Sequence, residues 1–237
     1  MRWIYMLGLV VLTGCVATTG TAPTDRPTPQ RQSEARSPQM PTRAQVQRFM
    51  TVMQRVEPLA ERACRDRAPR SNCDFRIVVD DRPGQQINAY QTLDRSGRPI
   101  IAFTLPMIAA VRNADELAFV MGHEAAHHIE GHIPRQQQNA AAGAILLGGL
   151  ASLSGASQGV VDQAVDIGAG VGARSYSKRF ELEADALGTV ITHRSGYDPL
   201  RGVDFFTQIP DPGNRFLGTH PPNAERVAIV RQVAAGL

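Results

Sequence analysis

Cysteine, aromatic residues and long apolar runs are all scarce in this chain. Its three cysteines in 237 residues, Cys15, Cys64 and Cys73, lack the paired spacing that ligates a zinc knuckle. Aromatic residues make up 5%, and none interleaves with a basic cluster. The formal charge of +3 is spread along the chain, so nothing marks nucleic acid as a partner. The apolar run at the start, Ile4 to Val11, is too short to span a bilayer comfortably.

That short run reads instead as a targeting segment. Arg2 precedes it and Leu12-Thr13-Gly14-Cys15 follows it, which resembles a bacterial lipoprotein signal over residues 1–14 with Cys15 as the lipid-bearing residue. The plainer alternative is a secretory signal with a stray cysteine. Residues 15–41 are rich in Thr, Pro, Ser and Gln with few large apolar side chains. They are expected to form a disordered tether. The remainder, 42–237, is long enough for one domain with its own core. The expected location is the periplasmic face of a bacterial membrane, the outer one by preference. In that oxidising compartment Cys64 and Cys73, close in sequence, are expected to form a disulfide; two buried free thiols are the alternative.

The most informative stretch is Val120 to His132, VMGHEAAHHIEGH. His123, Glu124 and His127 form a His-Glu-x-x-His motif. Residues four apart share a helix face, so both imidazoles can aim at one point with Glu124 beside them, as in a zinc hydrolase. The setting suits the motif: Asn113-Ala-Asp-Glu116 reads as a capping box, Leu117, Val120 and Met121 recur at helical spacing, and Gly131 and Pro134 end the pattern. His128 and His132 read as surface or supporting groups rather than ligands.

Around this helix the pattern is α+β and mainly helical. Val46, Phe49, Met53, Val56 and Leu59 predict an amphipathic helix from Thr42 to about Arg67, kinked near Pro58. Phe75 to Val79, Gln86 to Thr92 and Ile100 to Thr104 are short strand candidates separated by turn clusters. They suggest a small antiparallel sheet, whose third strand could accept an extended peptide as an added strand. Met107 to Arg112 is expected to form one helical turn. Residues 139–173 carry only Asp162 and Asp166 as charges. They read as an inserted Ala/Gly-rich helical hairpin, packing on the domain, touching a membrane surface or covering the site. A membrane span is the alternative, weakened by the many glycines and serines. Tyr176 to His193, Asp204 to Ile209 and a segment opened by Pro221-Pro222 complete the helices.

A third ligand is sought among the carboxylates of Arg179-Phe-Glu-Leu-Glu-Ala-Asp185. Glu181 and Asp185 are four apart on one face, so one can bind metal while the other accepts the free N–H of a ligand imidazole. Glu183 points roughly 200° away from Glu181. Only the Glu181 register therefore has a supporting carboxylate one turn on; Asp185 would orient a ligand, His123 by preference.

Three pieces, NADELAFVMGHEAAHH, FELEADALG and GTHPPNAERV, resemble in order the HtpX and CAAX prenyl protease type I family of gluzincin metallopeptidases, a zincin-like fold. Asn88-Ala89 resembles that family's Asn-Ala before the sheet edge. The resemblance covers roughly Val46 to Val233. It implies one zinc per chain on His123, His127 and Glu181, Glu124 as general base, and His220 near the open metal position as an oxyanion donor. It also implies a zinc endopeptidase whose substrates are unfolded or misassembled envelope polypeptides. A zinc-binding chaperone or assembly factor that seldom cuts is the rival reading. The chain departs from HtpX in lacking several unambiguous membrane spans, and from some periplasmic relatives in showing no degenerate helical repeat after the peptidase part.

Overall fold

The computed structural model describes residues 40–175, 177–208, 210, 211, 213 and 220–237. The signal, Cys15 and all but the last two residues of the tether lie outside the described residues, as do Tyr176 and Ile209.

Thr42 starts the domain with a closed cap: its hydroxyl accepts from the Gln45 N–H, and Gln45 Oε1 accepts from the Thr42 N–H. Helix α1 (Arg43–Arg67) follows and runs on through Pro58. Phe49, Val52, Val56, Ala60 and Ala63 form its buried face. Cys64, near its end, is bonded to Cys73 with the Cα atoms 5.6 Å apart, so the end of α1 is tied to the approach to the first strand.

Strands β1 (Arg76–Asp80), β2 (Ala89–Leu93) and β3 (Pro99–Thr104) form one sheet in the order β1-β3-β2. The expected antiparallel sheet is in fact mixed: β2 pairs antiparallel with β3, but β1 pairs with β3 in parallel. The reason lies in residues 81–88. They do not turn back beside β1 but carry the chain past the end of β3, where Thr104 Oγ1 accepts from the Asn88 N–H and donates to the Gln86 carbonyl. A strand reached by such a crossing places its hairpin partner, not itself, next to β1. β3 is buried along nearly its whole length, and β2 is left with a free edge.

Helix α2 (Leu105–Ala110) leads to α3 (Ala114–Ile129). The Asn113 side chain caps α3 by accepting from the Glu116 N–H at 2.9 Å. The reciprocal half of the expected capping box is not made. The buried Glu116 carboxylate instead accepts from the Arg112 N–H at 2.7 Å, from the Arg112 guanidinium and from Gln208. α3 is buried nearly all round, packed between α1 and α6 (Ser177–Arg194). The crossing with α6 is close because it is made through glycines. A Cβ on Gly188 would lie 2.9 Å from the His123 nitrogen, and one on Gly122 would lie 3.0 Å from the Gly188 carbonyl oxygen. Backbone contact at this point brings the carboxylates of α6 to the histidines of α3.

Between α3 and α6 lie α4 (His132–Leu153) and α5 (Gln158–Ser175), paired as a hairpin. Gly131, in the left-handed region at φ 65°, ends α3 and starts α4 at once; Pro134 falls in the first turn of α4, where proline is tolerated. The helical pair is therefore longer at its base than residues 139–173. Helix α7 (Pro199–Gly202), a 3-10 turn over Val203–Thr207 and α8 (Asn223–Ala234) close the domain.

Candidate metal centre

Two side chains one turn apart on α3 and one from α6 converge. His123 Nε2 and His127 Nε2 are 3.0 Å apart; Glu181 approaches them at 3.6 Å from His123 and 3.4 Å from His127. Tetrahedral zinc with bonds of about 2.0–2.1 Å sets neighbouring ligand atoms about 3.3 Å apart, and the three observed separations bracket that value. Two imidazole nitrogens and a carboxylate oxygen are also a donor set typical of zinc. The three residues thus fit a metal, and among the described residues they form the one cluster with that convergence.

What lies behind each ligand determines how it is held. His123 Nδ1 is 2.9 Å from Asp185 Oδ1, so Nδ1 carries the proton and Nε2 turns its lone pair to the site, where Arg226 Nη2 lies 3.4 Å from it. Asp185, fully buried, is gripped in turn by Arg226 of α8 at 2.7 Å through both Nε and Nη2. Burial pushes the Asp185 carboxyl up, but the Arg226 hydrogen bond and charge hold it below the usual carboxylate range. Arg226 also reaches Glu181 at 3.4 Å and lies over the Phe206 ring.

His127 has a longer chain of support. Its Nδ1 is 2.7 Å from His132 Nδ1, and His132 Nε2 is 3.1 Å from Glu183. When His127 Nδ1 donates to His132, and His132 Nε2 to Glu183, His127 Nε2 can offer its lone pair to a metal; protonated, that Nε2 instead meets Glu181 at 3.4 Å. His132 is 4% exposed and stacks on Phe180; Glu183 is held by Arg135 at 2.6 Å and Arg179 at 3.1 Å. Glu183 does point away from the cluster, yet it acts on it through His132. Burial and the neighbouring His127 push His132 down to about 4.

The remaining residues singled out from the sequence sit as follows. Glu124 lines the same cleft, of about 730 Å³. His220 is half exposed, with Nδ1 3.2 Å from Glu181; that contact raises its pKa. Burial pushes Glu181 up, but hydrogen bonds from His127 and His220 hold it well below the usual carboxylate range. His128 is turned aside: Nε2 meets the Asn72 carbonyl at 2.7 Å and the ring packs edge-on to Phe75. The strand expected to accept a peptide, Ile100 to Thr104, cannot do so, because as the central strand it is paired on both sides. Of the two edge strands, β1 and β2, it is β2 whose Ala89, Tyr90 and Gln91 line the cleft. Sequence reasoning missed Arg226 and the supporting role of Glu183, and read His132 as a surface or supporting group without naming the residue it supports. Glu183 and Arg226 lie within the stretches that carried the family resemblance.

A His-His-Glu metal site on two crossed helices, at the foot of a cleft bordered by a free strand edge, defines a metallopeptidase domain. Comparison with known proteins gives the family: a model of peptidase family M48 matches residues 47–234, and the chain belongs to that family of zinc metallopeptidases. It is 32% identical over 144 residues to the beta-barrel assembly-enhancing protease of Escherichia coli O157:H7, covering 52% of this chain and 28% of the relative. The namesake proteins of Escherichia coli K12 and Yersinia pestis are each 31% identical, over 144 and 148 residues, with the same coverage. The chain spans less than a third of the length of these curated relatives.

Proposed function

We propose that this protein is a zinc-dependent endopeptidase that cuts unfolded or misassembled envelope polypeptides, held by a lipid on Cys15 at the periplasmic face of the outer membrane. The observation that carries the catalytic part is the convergence of His123, His127 and Glu181, each with its own backing, in a cleft that Glu124 also lines. The names of the relatives, which join proteolysis to β-barrel assembly, support the envelope as the source of substrates.

His123, His127 and Glu181 would hold the zinc, which when bound supplies Lewis acidity toward water and the scissile carbonyl. The protein's own residues do the rest. Asp185 and His132 keep the two imidazoles in the tautomer that offers Nε2. An extended substrate lies along the free edge of β2 and pairs through its backbone, so recognition depends little on side-chain sequence; that suits unfolded polypeptide. Glu124 takes the proton of the attacking water on its carboxylate and delivers it to the leaving amine. His220, half exposed beside Glu181, is placed to donate to the carbonyl oxygen as charge develops there.

The test is cleavage of unfolded casein by the purified full-length protein with zinc, with a chelator, and with Glu124→Gln. Gln keeps the shape but cannot accept a proton, so the variant should hold zinc while losing at least about a hundredfold in rate. Zinc-loaded wild type that leaves casein intact would favour the chaperone or assembly-factor reading.

A further inference from the structure

The α4–α5 hairpin is built inside out. Between its two helices stand glycines: a Cβ on Gly143 would lie 2.1 Å from the Gly168 carbonyl oxygen, and one on Gly172 would lie 2.0 Å from that of Asn139. The backbones touch at these points, and further along the Val165 side chain packs against Gly148. The large apolar residues point outward instead. On α4, Ile145 is 76% exposed, Leu146 61%, Leu150 57% and Leu153 88%. A hairpin made for water does the reverse, burying its leucines and showing its small and charged residues. Small residues between helices and large apolar ones outside are the arrangement of helices that meet lipid.

Charge follows the same division. No Asp, Glu, Lys, Arg or His occurs between Arg135 and Asp162. The first turns of α4 are polar, with Gln136, Gln137 and Gln138 exposed; the apolar part begins at Asn139. The exposed side of α5 is mixed, with Val160 and Ile167 beside Gln163, Asp162 and Asp166. The outer face of α4 is therefore the lipid side and α5 rides above it. Residues 139–153 span about 22 Å of helix, short of the ~30 Å of a bilayer core, and no described helix is long and apolar enough to cross a membrane.

We propose that the outer face of α4 docks on the lipid surface of a bilayer, lying in the interface without crossing it. The proposal stands apart from the peptidase reading and shares with it only the anchor at Cys15. Twenty-four residues lie between that position and Met40, a reach of at most about 85 Å. A domain so tethered meets its bilayer as an intramolecular partner, so a weak interfacial contact suffices. A second copy of the chain is a poorer occupant. The small residues that let helices approach are already used inside the hairpin, and a seam along α4 would place Gly149 between Leu146 and Leu153.

Trp3, the one tryptophan of the chain, falls within the signal that precedes Cys15, so Leu153→Trp is the sole tryptophan of the lipidated protein. This is reconstituted in phosphatidylcholine vesicles, with or without acyl chains brominated close to the headgroup. Docking predicts a blue-shifted emission that bromine quenches at least about twofold, since an interfacial helix sits about 5–10 Å deep. A tryptophan at Arg95, on the turn between β2 and β3, should stay near its aqueous emission. Leu146→Glu with Leu150→Glu should abolish the quenching while leaving zinc content unchanged. An unshifted, unquenched Leu153→Trp in membrane-attached protein overturns the proposal. So does a blue shift without quenching, accompanied by crosslinking between copies, which would assign this face to a second chain.

Discussion

Asp185→Asn tests the support of the metal site most sharply, because two effects of different size meet there. The carboxylate accepts from His123 Nδ1 at 2.9 Å and from Arg226 twice at 2.7 Å, with no exposure to water. An asparagine of the same shape has one acceptor oxygen where three donors arrive, and its NH2 must face one of them. Losing the acceptor behind a metal-bound histidine costs about ten- to a hundredfold in affinity, or about 1.4–2.7 kcal/mol. Removing one partner of a buried ion pair costs more, about 3–5 kcal/mol, against a total stability of about 5–15 kcal/mol. Stability should thus fall further than zinc affinity. The stranded Arg226 can turn to Glu181 at 3.4 Å, itself a proposed ligand, which puts the affinity loss at the upper end. Zinc affinity, read by chelator competition at a temperature where circular dichroism shows a native fold, separates the two effects. The double variant Asp185→Asn/Arg226→Gln should regain stability but only the part of the zinc affinity that the stranded Arg226 removes. Asp185→Asn with wild-type affinity would refute the role given to Asp185, and full recovery of affinity in the double variant would assign the loss to Arg226 instead.

The flanking carboxylates should separate in zinc stoichiometry by mass spectrometry. Glu181→Gln should emerge empty, Glu183→Gln loaded because its amide oxygen still accepts from His132, and Glu183→Ala weakened by up to about tenfold as His132 is released. Cys64 and Cys73 should resist alkylation until a reductant is added, and opening their short loop should cost about 2–3 kcal/mol in urea unfolding; equal midpoints with and without reductant would contradict this. In zinc-free protein His132, pushed down to about 4, lies below its unfolded value of about 6.5. The unfolded chain therefore takes up the proton first, and stability from this residue is lost as pH falls from about 6.5 to about 4. His127 and His220 are raised and act in the opposite sense. The quantity to follow is therefore Tm of the wild type minus Tm of His132→Gln, which should shrink over that range.

How much of this was legible in the sequence depended on how local each interaction is. The motif helix, the strands and the helices flanking them followed from spacing and turn residues, because period and breakers act within a few positions. Strand pairing did not. Parallel β1–β3 contact is set by where residues 81–88 lead the chain, and no alternation of side chains records that. The error carried forward into the site, since the strand named as a peptide acceptor is central and the cleft is bordered by β2 instead. The capping box failed for a related reason. Its cap at Asn113 is local, but Glu116 answers to Arg112 and to Gln208, a residue that only the fold brings near.

The same distinction separates the two histidines of the metal centre. The carboxylate behind His123 was legible because Glu181 and Asp185 are one helical turn apart, so choosing one as ligand places the other. The group behind His127 was not, although His132 is only five residues away. In a continuous helix a residue five positions on lies well round from its predecessor. Gly131, at φ 65°, breaks α3 and restarts the chain as α4, and that break turns His132 back to within 2.7 Å of His127. The glycine that looked like an ordinary helix stop is thus what brings His127 its hydrogen-bond partner. Glu183 then gains its place by geometry that the 200° argument omitted. A side chain on the far side of α6 from the metal still bears on it when a second imidazole bridges the distance. Arg226 is the extreme case: 41 residues from Asp185 and 103 from His123, it is a charged residue on the buried face of α8. Its burial is tolerable only because Asp185 needs a counter-charge that water cannot reach to provide.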